Sequence, residues 1–240
     1  MEILTNEWNS YIESMKNTLA ENANWQEELD GCLEMAEDAK NDDEEVLLDL
    51  AVYKMDHGID FEESLSFVDE KAGQGDVYAL TQLGFLYCTG VFNSFDDSKK
   101  SLIDINDIKN EEKSSSYFEK ASELGGVRAM ATLVNHIWVY GRNQDSEDSE
   151  NEEDSVQLTA EDFVKAEKLA LNAIGIYENQ KEKCDVPDSI IALLMSWLSD
   201  LYESKNPLSP IFSQEKAEYW KNRSDKLSQE LKESSEESQQ

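Results

Sequence analysis

Four segments of this 240-residue chain repeat one pattern at nearly constant spacing. They are SLSFVDEKAGQG (64–75), SSSYFEKASELG (114–125), AEKLALNAIGIY (166–177) and AEYWKNRSDKLS (217–228). A small residue opens each, a bulky apolar or aromatic pair follows at or near the third and fourth steps, and a small residue returns in the next turn. With Phe67, Tyr117, Leu169 and Trp220 as anchors, the steps are 50, 52 and 51 residues. A period in this range marks a stack of supersecondary units, none of which can bury its apolar face alone.

Each segment is preceded by another apolar stretch: VLLDLAVYKMDHG (46–58), YALTQLGFLYCTG (78–90), AMATLVNHIWVYG (129–141) and SIIALLMSWLSDLY (189–202). In the second, Ala79, Leu83, Leu86 and Tyr87 recur at helical steps, and Gly90 is placed to stop the helix in a left-handed conformation. The chain therefore reads as a row of helix pairs. Few helix breakers (3 Pro, 10 Gly) and abundant Leu, Ala, Glu and Lys favour the same all-α reading. Leu83, Leu86, Phe118, Leu133, Leu169, Leu194 and Trp197 are expected to share one elongated core.

GDVYALTQLGFLYCTG followed by SYFEKASELG resembles the Sel-one-like repeat, an α/α relative of the tetratricopeptide repeat. Gly75, Ala79, Leu83, Gly84, Tyr87 and Gly90 match its first helix, and Tyr117, Phe118, Lys120, Ala121 and Gly125 its second. The next unit departs from the pattern: Val134 replaces the mid-helix Gly, Ile137 the aromatic, and Gly141 falls one residue late. The last pair keeps little beyond KAEYW. The resemblance implies an α/α superhelical solenoid of helix-turn-helix repeats with a concave surface, in a family of interaction scaffolds.

The expected organisation is a helical cap over residues 1–44, four degenerate repeats over 45–228 and a disordered acidic tail over 229–240. The family's unit is shorter than 50 residues, and the excess falls in two loops within repeats, 91–113 and 142–162.

Charge narrows the partners. With 53 Asp plus Glu against 21 Lys plus Arg, the net charge of -32 repels nucleic acid and anionic lipid and attracts basic proteins. Direct nucleic-acid binding is not expected. The longest apolar run, IIALLM, is too short to span a bilayer, and the first residues lack a basic and apolar leader. Both point to a cytoplasmic chain without membrane attachment. Cys32, Cys88 and Cys184 share no metal-binding or redox spacing and are expected to be reduced.

Catalysis has no visible seat. His57 and His136 lie on or at the end of core-type helices, and no nucleophile elbow, phosphate loop, dinucleotide fingerprint or zinc-protease motif is present. Neither cofactor nor metal is expected. DSEDSENEED (145–154) lacks the Gly and alternating ligands of a calcium loop and reads as solvated.

The expected activity is therefore protein binding. Asp145, Glu147, Asp148, Glu150, Glu152, Glu153 and Asp154 form an edge loop that would steer a basic partner, while Trp8 and Trp25 are candidate aromatic anchors in the cap. Trp197 and Trp220, at repeat spacing, are expected in the core. Small acidic repeat proteins of this kind look like the immunity proteins that bacteria encode beside secreted toxins. That likeness implies an inhibitor of a basic, cytoplasm-acting toxin such as a nuclease; the alternative is a general adaptor or scaffold in signalling or protein quality control.

Overall fold

The computed structural model describes residues 44–56, 61–89, 108–143, 158–184, 186–203 and 209–237. Among them are eight α-helices and no strand: α1 (Glu44–Asp56), α2 (Phe61–Gly73), α3 (Val77–Thr89), α4 (Glu111–Glu123), α5 (Val127–Asn143), α6 (Ala160–Asn179), α7 (Asp188–Glu203) and α8 (Gln214–Glu237). A short 3-10 turn, Lys181–Lys183, follows α6. The fold is all-α. The eight helices fall where the four apolar pairs of the sequence place them.

The chain divides into two compact units, Met1–Ser114 and Ser115–Gln240, with the boundary inside α4. Within the second unit one hydrophobic cluster runs from Val127 and Met130 through Phe163, Ile191, Leu194 and Leu198 to Trp220. In a repeat array each element packs on its neighbours, so no common centre is required. In the first unit α1, α2 and α3 pack on one another; in the second, α7 packs against α5, α6 and α8. The first helix of one pair touches the first helix of the next, α1 with α3 and α5 with α7. This is the contact pattern of a solenoid.

Local chemistry explains where the helices start and stop. After α2, Gly75 takes φ 88°, its N–H donates to the Ala72 carbonyl at 3.0 Å, and the Asp76 N–H donates to Lys71 at 3.1 Å. After α4, Gly125 takes φ 97° and the same two bonds recur, to Ser122 at 3.1 Å and from Gly126 to Ala121 at 2.9 Å. Both are Schellman turns, in which a left-handed Gly satisfies the last helical carbonyls. Asp76 then caps α3, accepting the Ala79 N–H at 2.8 Å, and Asn110 caps α4 through Lys113 at 2.9 Å. At α6 the Thr159 N–H donates to the Asp162 carboxylate at 2.7 Å, one arm of a capping box.

Small residues set the spacing within pairs. The Ser114 hydroxyl donates to the Gly84 carbonyl at 2.8 Å, tying α4 to α3 where Gly84 has no side chain to interpose. In the last pair, Ser224 donates to the Ala192 carbonyl and Ser199 to the Ala217 carbonyl, both at 2.8 Å. α6 buries Phe163, Ala166, Ala170 and Ala173 at three- and four-residue steps, so its inward face is mostly methyl groups. α7 is buried most broadly, with Ile191, Leu194 and Leu198 fully enclosed.

Leu83, Leu86, Phe118 and Leu194 are buried, whereas Leu133, Leu169 and Trp197 are only partly so. On α5 the inward stripe runs through Val127, Met130, Val134 and Ile137, which leaves Leu133 at its edge. Helix α8 continues past Ser228 to Glu237, into the stretch expected to be a disordered tail. Its last turns hold by local bonds, Gln229 to Glu233 at 2.9 Å and the Ser234 hydroxyl to the Glu230 carbonyl at 2.9 Å, and use good helix formers that need no core.

Candidate partner-binding face

The acidic residues Asp145, Glu147, Asp148, Glu150, Glu152, Glu153 and Asp154 lie outside the described residues, as do Trp8, Trp25, His57 and Gly90, the expected helix stop. The structure instead assembles a different aromatic site, on the side that α5 and α7 share in the second unit.

Trp138 on α5 and Trp197 on α7 meet with ring centroids 5.8 Å apart and planes inclined by 35°. The Trp138 indole N–H donates to Oδ2 of Asp200 at 3.0 Å. Leu193, Trp197 and Asp200 follow one another at steps of four and three, so they share one face of α7. Leu193 is 46% exposed, and Val139 on α5 is 37% exposed. Trp197 and Asp200 are partly buried. The result is an indole pair packed against the core of the unit, with one carboxylate bonded by an indole N–H. A carboxylate accepts several hydrogen bonds, so Asp200 keeps acceptor capacity beyond the one it uses. Tryptophans held in this way are favoured anchors of protein interfaces, because little side-chain entropy remains to be lost on binding.

Elsewhere in this unit, cations are matched to acids between elements. Lys165 pairs with Glu119, Lys181 with Asp188, Lys216 with Glu167 and Arg223 with Glu178. Arg223 also lies over the Trp220 ring, 5.0 Å from its centroid, and beside Tyr219. Tyr202, wholly buried, donates its hydroxyl to Glu167, and Lys216 reaches the same carboxylate at 3.0 Å. Burial, and then the Glu167 carboxylate, raise the Tyr202 phenol well above its ordinary range. The hydrogen bond from Lys181 holds the Asp188 carboxyl below the usual carboxylate range. These clusters fasten α6, α7 and α8 together.

In the first unit a cavity of about 210 Å³ is lined by Phe61, Leu65, Leu86, Tyr87, Ile108, Lys109, Asn110 and Lys113, with the Lys113 ammonium 4.8 Å from the Tyr87 ring centre. No acid lines it among the described residues. Nor do the described residues gather three or more His, Cys, Asp or Glu side chains around a point where a metal could sit. His136 and Cys88 are exposed, on different helices and in different units. No described helix is long and apolar enough to cross a membrane.

Trp220 is buried, as its repeat position suggested; Trp197 is partly buried, packed against the core cluster of the unit and paired with Trp138. Trp138 and Asp200 were not marked as site residues by the sequence, since 62 positions separate them and only the packing of α5 on α7 joins them. Their signal was present in weak form, as an aromatic and an acid on the first helices of successive pairs. No protein-family model, curated protein or solved structure matches the chain.

Proposed function

We propose that this chain is a non-catalytic protein-binding protein built from Sel-one-like helix pairs, and that its partner is basic. Within that class the reading favoured is an inhibitor of the immunity type, which captures and neutralises a basic toxin acting in the cytoplasm, a nuclease being the chemistry best suited to an acidic mimic. The observation that carries the proposal is the contact of α5 with α7, where an indole pair and a carboxylate stand on the face of α7 that carries exposed Leu193. The net charge of -32 supports it, because a strong opposite field raises the rate at which a cationic protein is captured. The acidic run from Asp145 to Asp154 would add to that steering.

The test is capture of partners from host lysate, and co-expression with the product of the adjacent gene, scored for complex formation and rescue of growth. A basic partner is expected, whose association slows as salt is raised and slows again when the seven acids of the run are changed to Asn or Gln. A neutral or acidic partner, bound equally well at all salt concentrations, would reduce the charge to a solubility device and favour the adaptor or scaffold reading.

A further inference from the structure

The second unit contains two indole-and-carboxylate pairs, Trp220 with Glu178 and Trp197 with Asp200, and among the described residues a basic side chain joins the first pair. On the α6–α8 side, Trp220 and Glu178 hold Arg223, whose guanidinium lies 5.0 Å from the indole centre and bonds the carboxylate. On the α5–α7 side, Trp197 and Asp200 offer the same two groups three residues apart on one helix, with Asp200 oriented by the Trp138 N–H. Among the described residues no basic side chain lies over Trp197 or pairs with Asp200.

We infer that Trp197 and Asp200 form a subsite for an arginine side chain of the protein partner. The guanidinium would stack on the exposed part of the Trp197 ring and donate to the free lone pairs of Asp200, while its methylene stem would cover Leu193. Arginine suits this arrangement better than lysine, because a planar, weakly hydrated cation can stack and donate in a fixed fork at once. Trp138 is a positioning residue: its N–H fixes one carboxylate oxygen and leaves the other turned to the ligand. The charge of the whole chain favours a cation at this place over any anion. The identity of the occupant as a protein side chain rests on the protein-binding reading above.

The subsite is tested on the intact chain with Nα-acetyl-arginine amide as the probe and its neutral citrulline counterpart as the control. Binding is followed through the indole N–H signals of Trp138 and Trp197, assigned with single Trp→Phe variants. Both signals are expected to move with the arginine probe and to stay with citrulline. Asp200→Asn, which keeps an acceptor for Trp138, is expected to weaken binding about tenfold. Trp197→Leu, which keeps apolar bulk but removes the π face, should abolish the response at Trp138. Circular dichroism of both variants confirms that they fold. Equal shifts with citrulline, unchanged affinity in Asp200→Asn, or no movement of either indole would overturn the subsite. A basic partner captured equally well by Asp200→Asn would also overturn it and leave the protein-binding reading standing. Failure of the intact chain to capture any basic protein strikes that reading instead, since the small probe measures the subsite directly.

Discussion

Trp220 and Trp197 both pack in or against the one hydrophobic cluster of the second unit, and their surroundings differ. Trp220 is 8% exposed, beneath Arg223 and within the core cluster of the unit. Trp197 is partly exposed, paired with another indole and next to a carboxylate that, among the described residues, bonds that indole's N–H. One cluster spends its cation on joining helices; the other has a carboxylate and an aromatic face left over. On the proposed reading, an aromatic at repeat spacing serves stability where a basic residue of the same chain closes over it, and recognition where none does. Changes at Trp220 should therefore cost stability and spare binding, and changes at Asp200 should do the reverse.

The largest effect is expected from Trp220→Ala, which removes a buried indole and strands Arg223; a loss of about 3–5 kcal/mol should appear in chemical denaturation. A loss under about 1 kcal/mol would mean that α8 is held by its Ser224 and Ala217 contacts without its aromatic. Tyr202→Phe deletes the buried hydroxyl bonded to Glu167 and should cost about 2 kcal/mol. It should also change the pH profile. The Tyr202 phenol is raised in the folded chain, so above the ordinary tyrosine range of about 10 the unfolded state loses its proton first and stability falls. That part of the alkaline decline should vanish in Tyr202→Phe, as followed by thermal melts between neutral and strongly alkaline pH.

Smaller effects sharpen the contrast. Gly125→Ala should destabilise by about 1–2 kcal/mol, because the left-handed backbone there penalises any Cβ even though nothing stands within 4 Å of it. Gly175→Ala, inside α6 and equally uncrowded, should stabilise by about 0.5–1 kcal/mol. Asp200→Asn should shift stability by under about 0.5 kcal/mol while weakening capture of a basic partner. A large stability loss there would place Asp200 with the fasteners.

How much of this could be read beforehand follows from which interactions are local. The helix pairs were legible because their period is written in apolar spacing, and the stop at Gly125 because only Gly accepts that backbone cheaply. Asp76, Asn110 and Thr159 are ordinary caps standing immediately before their helices. The Trp138–Asp200 bond was not legible, because it depends on the rotation of α5 against α7 rather than on spacing within either. The length of α8 escaped for another reason: polar residues such as Gln229 and Glu233 form a helix by bonding one another, which a search for apolar faces overlooks. The acidic run at Asp145–Asp154 lies outside the described residues, so its part in the site rests on charge alone.

The most direct measurement is a hydroxyl-radical footprint of the chain with and without its captured basic partner, because two aromatic surfaces of the second unit then compete in one experiment. Leu193 and Trp197 on α7 are expected to be shielded in the complex, while Phe212 and Tyr219, which are 56% and 54% exposed, should remain as reactive as in the free chain. Shielding of Phe212 and Tyr219 with α7 unchanged would contradict the assignment of recognition to the α5–α7 face.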